Sequence, residues 1–214
     1  MNSIIRPYSP ADRDAIRHIC CETGFSGNPV DPLFCDREVF ADFFTRYYTD
    51  WEPESTLIVE DEGKVVGYLT GCCRYRYHAV IQTLLLIGMI IPKVAWRWMR
   101  GQYDADSRSF LLWCLRKGRK QTPLAPRRAA HFHFNLLPDY RNAGLGHRLM
   151  KTFVDTLASR GINKVYGQIQ TGQDRRPERV FERYGFKCYD KREVTKFRPF
   201  HDKTVYVSTV VKEL

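Results

Sequence analysis

What the chain lacks narrows its function first. Its seven cysteines (Cys20, Cys21, Cys35, Cys72, Cys73, Cys114, Cys188) are odd in number, include two adjacent pairs and contain no Cys-x-x-Cys. This is neither a disulfide framework nor a zinc-ligand spacing, and it points to a reducing compartment. The opening Met1-Asn-Ser-Ile-Ile-Arg6 has no long apolar region of the kind a secretion signal carries, so a cytoplasmic protein is expected. No apolar run reaches the roughly twenty residues that span a bilayer. The longest, Ala79 to Ile91, stops after about a dozen at Pro92-Lys93. Internal repeats, low-complexity tracts and flexible linkers are absent, as are a Walker Gly-Lys-Ser/Thr and a dinucleotide Gly-x-Gly-x-x-Gly. Acidic residues are the minority, 24 against 34 lysines and arginines, a net charge of +10. That surface attracts polyanions. The charge reads as scattered, however, and no compact nucleic-acid motif accompanies it, so no specific nucleic-acid partner is expected.

What is present suits one α/β domain: 214 residues, 43% hydrophobic. Ile4 and Ile5 begin a strand that Pro7 ends. Ser9-Pro10 opens a helix buried through Ile16, Ile19 and Cys20. After a Gly-, Pro- and Asn-rich loop, the spacing predicts a helix from about Arg37 to Tyr48, capped by Asp36, with Phe40, Phe43, Phe44 and Tyr47 as its apolar stripe. Ser55–Glu60 and Lys64–Gly71 read as a hairpin. Residues 74–128 form an insertion of two or three amphipathic helices, for which packing on the domain is favoured over a membrane-surface contact through 79–99. Ala129–Leu137 is a strand. A helix from Leu145 to Ser159 follows, then a strand at Lys164–Gln170, a short helix at Pro177–Tyr184 and a closing hairpin.

The densest signal is the strand-to-helix turn Pro138-Asp-Tyr-Arg141-Asn-Ala-Gly144-Leu-Gly146. Two glycines there let backbone N–H groups converge, and the helix N-terminus adds partial positive charge, which makes a diphosphate cradle. About forty residues on comes Phe181-Glu-Arg-Tyr-Gly185-Phe186. In these two landmarks, in order and at this separation, the chain resembles the GNAT superfamily of acetyl-CoA-dependent N-acetyltransferases.

That resemblance implies an α/β (α+β) fold with a mixed central sheet of about seven strands flanked by helices, the insertion falling between the third and fourth strands. It implies acetyl-CoA as co-substrate, no metal, a small-molecule or peptide amine as acceptor, and a monomer or homodimer. By position, Leu136 and Leu137 would supply backbone groups to pantetheine where the strand splays at a bulge, with Leu137 the expected donor to the thioester carbonyl. Amides of Arg141, Asn142, Ala143, Gly144, Leu145 and Gly146 would hold the pyrophosphate, with His147 nearby. Asp174 and Phe181 would also line the cofactor.

An alkyl amine is mostly protonated near neutrality, so a base or a water chain leading to one is needed. His131, His133 and Asn135 alternate onto one face of the strand, and Phe132, Phe134 and Leu136 onto the other. His-x-His at this place is similar to the arylalkylamine N-acetyltransferases, in a register one residue shorter. His133 is the expected base and His131 its relay. The family's usual acid, a tyrosine four residues before Gly-Phe, is Phe181 here, which leaves Tyr184 as the nearby phenol. The missing tyrosine, with a looser resemblance to the acetyltransferase-like domain of O-GlcNAc hydrolases, supports the alternative of a catalytically weak or inactive CoA-binding module.

Overall fold

The computed structural model describes residues 3–141, 144–172, 177–200 and 202–214. Strand β1 (Ile4–Pro7) leads into a turn of 3-10 helix and then α1 (Arg13–Glu22). Asp12 fixes this entry: its carboxylate accepts the Ser9 N–H at 2.8 Å and two guanidinium N–H groups of Arg6 at 2.7 and 2.8 Å. Helix α2 (Arg37–Asp50) starts where expected, with the Asp36 carboxylate accepting the Val39 N–H at 3.1 Å. Its buried side is not the predicted stripe. Phe40, Tyr47 and Tyr48 are buried, whereas Phe43 and Phe44 are 39% and 36% exposed. The helix packs along a face rotated towards Tyr48, which the sheet occupies.

β2 (Thr56–Asp61) and β3 (Lys64–Cys72) form the expected hairpin. Glu62 and Gly63 both take positive φ, 48° and 77°, a turn whose twist matches that of the strands.

Between β3 and β4 the chain forms two long helices, α3 (Tyr75–Met99) and α4 (105–121). Pro92 does not end the first, contrary to expectation. A π-turn at Leu86–Ile90 lies immediately before it, so the ladder is already re-phased where the proline N–H is missing. A second π-turn lies within α4 at Cys114–Gly118.

The rest alternates: β4 (Ala130–Leu136), α5 (Leu145–Ser159), β5 (Lys164–Gly172), α6 (Pro177–Arg183), β6 (Lys187–Glu193) and β7 (Val205–Glu213). All seven strands join one sheet in the order β1-β2-β3-β4-β5-β7-β6, and only β4 and β5 run parallel. This is the mixed, helix-flanked architecture expected. β7 lies between β5 and β6, pairing with β5 from Lys164–Glu213 to Gly172–Val205.

Two apolar cores lie one on each face of the sheet. On one, α5 presents Leu145, Leu149, Phe153 and Leu157 to Phe132, Leu69 and Val165. On the other, α1 and α2 bury Ile16, Ile19 and Phe40 against Ile58 and Tyr68. Leu149 is fully buried at the centre of the first. Leu149→Ala is expected to lower stability by about 2–5 kcal/mol in chemical denaturation, as lost transfer energy plus a residual cavity. A loss below about 1 kcal/mol would mean that α5 is not clamped on the sheet as described.

Candidate active site

The parallel ladder between β4 and β5 is short. It pairs Ala130 with Val165, His131 with Tyr166 and Phe132 with Gly167, and goes no further. Beyond that point β4 stays on β3 as far as Leu136, and β5 stays on β7 as far as Gly172. The two strands therefore part, leaving a gap with backbone on both banks. The expected splay is present, but the β3–β4 register is unbroken from Gly67–Leu136 to Cys72–His131, so no bulge produces it.

Which groups face the gap follows from parity. The Leu137 N–H donates to the Val66 carbonyl at 3.0 Å. Bonding alternates along an antiparallel pair, so residues 131, 133, 135 and 137 direct their backbone polar groups at β3, and 132, 134 and 136 direct theirs at β5. Past Phe132 no β5 partner remains for the latter set. The Phe134 N–H and C=O and the Leu136 N–H thus face the gap, while the Leu136 carbonyl accepts Arg141 Nε at 3.0 Å. This corrects the expectation for Leu137, whose amide is already taken by β3.

At the end of the gap stands the N-terminus of α5. Gly144 caps it in the left-handed region, φ 71°, a conformation that L side chains rarely adopt. The amides of Leu145 and Gly146 open the first turn, where helix N–H groups lack intrahelical partners. The Leu145 side chain is buried in the α5 core, so only its backbone is available. Arg141 differs from expectation. Its N–H donates to the Pro138 carbonyl at 3.3 Å, and its guanidinium bonds the Leu136 carbonyl and, at 2.6 Å, the Gly27 carbonyl. The side chain ties the loop after α1 to the end of β4. Ser26, in the same loop, donates to Gln170 of β5 at 3.1 Å, so this loop touches both banks of the gap. Asn142, Ala143 and Asp174 lie outside the described residues.

Phe132, Phe134 and Leu136 face the α5 core, and the histidines face α2 and α3. His131 is buried and shares a 2.8 Å hydrogen bond between Nε2 and the Tyr48 hydroxyl. Its ring lies 4.7 Å from that of His78 on α3 and 5.7 Å from that of His133. His133, half-buried, is the first β4 residue past the last pair with β5, so it stands where the gap opens. Burial pushes His131 well below the ordinary imidazole range, aided by repulsion from His133 and His78. Burial, then His78, pushes His133 down to about 4. The His131 and His133 rings are therefore neutral near pH 7. Asn135 is not part of this cluster, because its amide donates to the Tyr68 hydroxyl at 2.7 Å.

Cys72, His78 and His131 place one ligand atom each within 4.8 Å of one another, a grouping that sequence spacing hid. Burial and the nearby Glu52 hold the Cys72 thiol above its usual value, and His131 Nε2 is engaged by Tyr48. This chemistry suits a neutral hydrogen-bonded cluster better than a thiolate metal site. Tyr48, His78 and Tyr166 are the members that sequence reasoning missed as site residues. They lie far apart in sequence, Tyr48 in the second helix, Tyr166 in the strand after α5 and His78 in the apolar insertion with no flanking motif.

Tyr184 is elsewhere. Its ring packs 4.8 Å from that of His147 in the first turn of α5, on the opposite face of the sheet from His131 and His133. It is a neighbour of the α5 N-terminus and lies outside the histidine cluster. Phe181 is buried among Phe132, Phe134 and Phe186 and floors the gap from the α5 side.

Residues 30–186 match the model of the acetyltransferase (GNAT) family, which is most of the chain. The protein belongs to the GNAT acetyltransferase family. As a GNAT protein it is an acyltransferase, and the family uses acetyl-CoA. Among solved structures, one designated SsHAT is 28% identical, with 100% of this chain and 98% of that one covered and a TM-score of 0.68. A putative acetyltransferase from Salmonella typhimurium, solved with its cofactor acetyl-CoA, is 16% identical over 100% and 95% of the two chains, TM-score 0.58. A Drosophila melanogaster polyamine N-acetyltransferase that forms N-acetylagmatine is 14% identical over 100% of both, TM-score 0.57. The last two likenesses are of fold. No curated protein matches the sequence.

The residues of this GNAT chain fit the cofactor. Among the described residues the gap offers strand amides with no partner on β5, and the α5 N-terminus offers two more. A Cβ at Gly146 would meet only ordinary contacts, at 3.6 Å from Phe134, so the protein's own packing does not require glycine there; a close ligand would. The Thr171 hydroxyl, on the bank opposite Phe134, is buried with no partner among the described residues.

The histidine cluster also sets a pH signature. An imidazole held near 4 in the folded state but near its ordinary 6.5 when unfolded refuses a proton that the unfolded chain takes. Stability is therefore expected to be full above about pH 6.5 and to fall as the pH drops towards about 4. His133→Gln should flatten that slope in thermal melts at about pH 7 and about pH 5. An unchanged slope would show that the ring is not held in this desolvated site.

Proposed function

We propose that the protein transfers an acetyl group from acetyl-CoA to a primary amine by direct attack within a ternary complex. The observation that carries this reading is the gap between β4 and β5 with the histidine cluster at its closed end and the α5 N-terminus at its open end. Acetyl-CoA supplies an already activated acyl carbon, so the protein's task is positioning, proton handling and charge stabilisation.

The amides of Leu145 and Gly146 take the pyrophosphate, with Gly144 shaping the turn. Phe134 and Leu136 pair with the pantetheine arm as a surrogate strand. The Phe134 N–H, nearest the closed end, takes over the part first given to Leu137 and donates to the developing oxyanion. The acceptor approaches from the His131 side, where a hollow of about 420 Å³ is lined by His78, His131, Tyr166, Arg76, Arg127 and Arg128. His133 receives the amine proton and releases it to water, returning to the neutral form that burial favours, while the His131–Tyr48 pair lines the site. No phenol stands at the Phe181 position, so the thiolate takes its proton from water. The seven free cysteines support a reducing, cytoplasmic setting.

The buried phenylalanine at position 181 also supports a second reading, a CoA-binding module with weak or no transfer activity. Calorimetry with acetyl-CoA and an amine panel separates the two. The first reading expects binding together with turnover, Gly144→Glu abolishing binding, and His133→Ala lowering kcat by about 10²–10⁴-fold with binding retained. Binding without turnover on any amine would favour the module. No binding at all would overturn both.

A further inference from the structure

The net charge of the chain is not scattered. Residues 74–128 hold twelve lysines and arginines and only two acids, Asp104 and Asp106, a net of +10 that equals the charge of the whole protein. The remainder is neutral in balance. The same segment carries 12 of the 17 large hydrophobic side chains that are exposed among the described residues.

The two properties are arranged on opposite sides of α3. One face is fastened to α2: Lys93 Nζ pairs with Glu38 at 2.9 Å and Asp42 at 3.1 Å, and Arg97 pairs with Asp36 and Glu38. Gln82 donates to the Phe43 carbonyl at 3.0 Å, and Leu85 and Ile90 are buried. Lys93 and then Arg97 hold the Glu38 carboxyl down, at about 2. The other face presents Val80, Leu84, Ile87 and Ile91, each 51–62% exposed, at helical spacing and towards solvent. Aromatic rings at both ends carry arginines: Arg74 lies 5.2 Å over Tyr77, and Arg108 5.7 Å over Trp98. Arg116, Lys117, Arg119 and Lys120 extend the basic ground along α4 beside the exposed Leu112 and Leu115.

We propose that this face docks on an anionic lipid bilayer, with α3 lying in the plane of the interface. An apolar stripe flanked by basic residues and by aromatic rings with cationic tips is the pattern such helices use. The helix is long enough to span, at 25 residues with a mean hydropathy of 1.8 over its most apolar window. Spanning would break four ion pairs to α2 and carry Lys93 and Arg97 into hydrocarbon, which is costly. A second copy of the chain is a poor occupant, because it would bring an equally basic segment against this one. A nucleic acid would leave the apolar stripe uncovered.

The test is flotation of the full chain with two vesicle populations, phosphatidylcholine alone and phosphatidylcholine rich in phosphatidylserine. Binding only to the anionic vesicles is expected, weakening with salt, with a blue shift of tryptophan emission and quenching by brominated acyl chains. The double variant Leu84→Glu, Ile87→Glu is expected to reduce partitioning about tenfold or more, and Arg116→Glu, Lys117→Glu to do likewise. All four residues are exposed and far from the gap in sequence, so circular dichroism and acetyl-CoA calorimetry are expected to be unchanged, which separates lost docking from lost folding. The proposal is overturned by no flotation with either vesicle, by partitioning that the Leu84/Ile87 variant leaves intact, or by a concentration-dependent dimer that the same variant dissolves.

Discussion

Everything at the candidate site depends on where β4 and β5 stop pairing. Their ladder ends at Phe132–Gly167, and the reason is visible at that pair. The Phe132 ring lies across β5 so closely that a Cβ at position 167 would sit 2.4 Å from its Cζ. Glycine is the residue that lets a large ring cross a strand there. Beyond it, each strand has a stronger commitment on its outer side, β4 to β3 and β5 to β7. Neither has to break a hydrogen bond to part from the other. The gap is thus a consequence of sheet order, and the donors it exposes are oriented before any ligand arrives, which is the condition for useful electrostatic stabilisation.

The sequence made the elements and the phosphate turn legible because those are local. Gly144 and Gly146 at the start of a periodic apolar helix describe a cradle within a few residues, and the alternation of His131, His133 and Asn135 with Phe132, Phe134 and Leu136 describes two faces within one strand. What stayed hidden was relational. Whether Leu136 or Leu137 points its amide at the gap depends on the β3 register, which the Val66–Leu137 bond sets. No property of either leucine encodes it. The Arg141 amide read as a phosphate donor because it sits in the loop, yet it donates to the Pro138 carbonyl, and its guanidinium reaches the carbonyls of 136 and 27, the latter over a hundred residues away in the chain. Tyr184 read as an acid because it is near Phe181 in sequence, but most of a helical turn carried it to His147.

The histidine cluster shows the same limit in another form. Tyr48 comes from α2, His78 from α3 and His131 with His133 from β4, so three elements converge on one point. Convergence has an electrostatic result that no single element could have. His131 and His133 each lose water and face another imidazole, and the two effects act in the same direction on the proton, whereas at His78 burial lowers the pKa and Glu52 opposes it. A lone buried histidine would be a structural residue. Several together, one bonded to a buried tyrosine and one where β4 and β5 part, form a cluster of neutral rings that resists taking up a proton.

The insertion joins the two themes. Its helix α3 contributes His78 to the cluster from the same turns that carry Val80 and Leu84 outward. It is held to the body of the protein by charge on one face while its opposite face is apolar. Had the helix merely filled space on the sheet, its outer face would be expected to be polar, as in an ordinary surface helix. Had it been built to span a bilayer, Lys93 and Arg97 would have no place in it. The ion pairs to Glu38 and Asp42 hold the helix flat on the protein, so the stripe of Val80, Leu84, Ile87 and Ile91 is presented outward along its length. That geometry places His78, and through it the acceptor side of the site, within one helix diameter of whatever covers the stripe, about 10 Å.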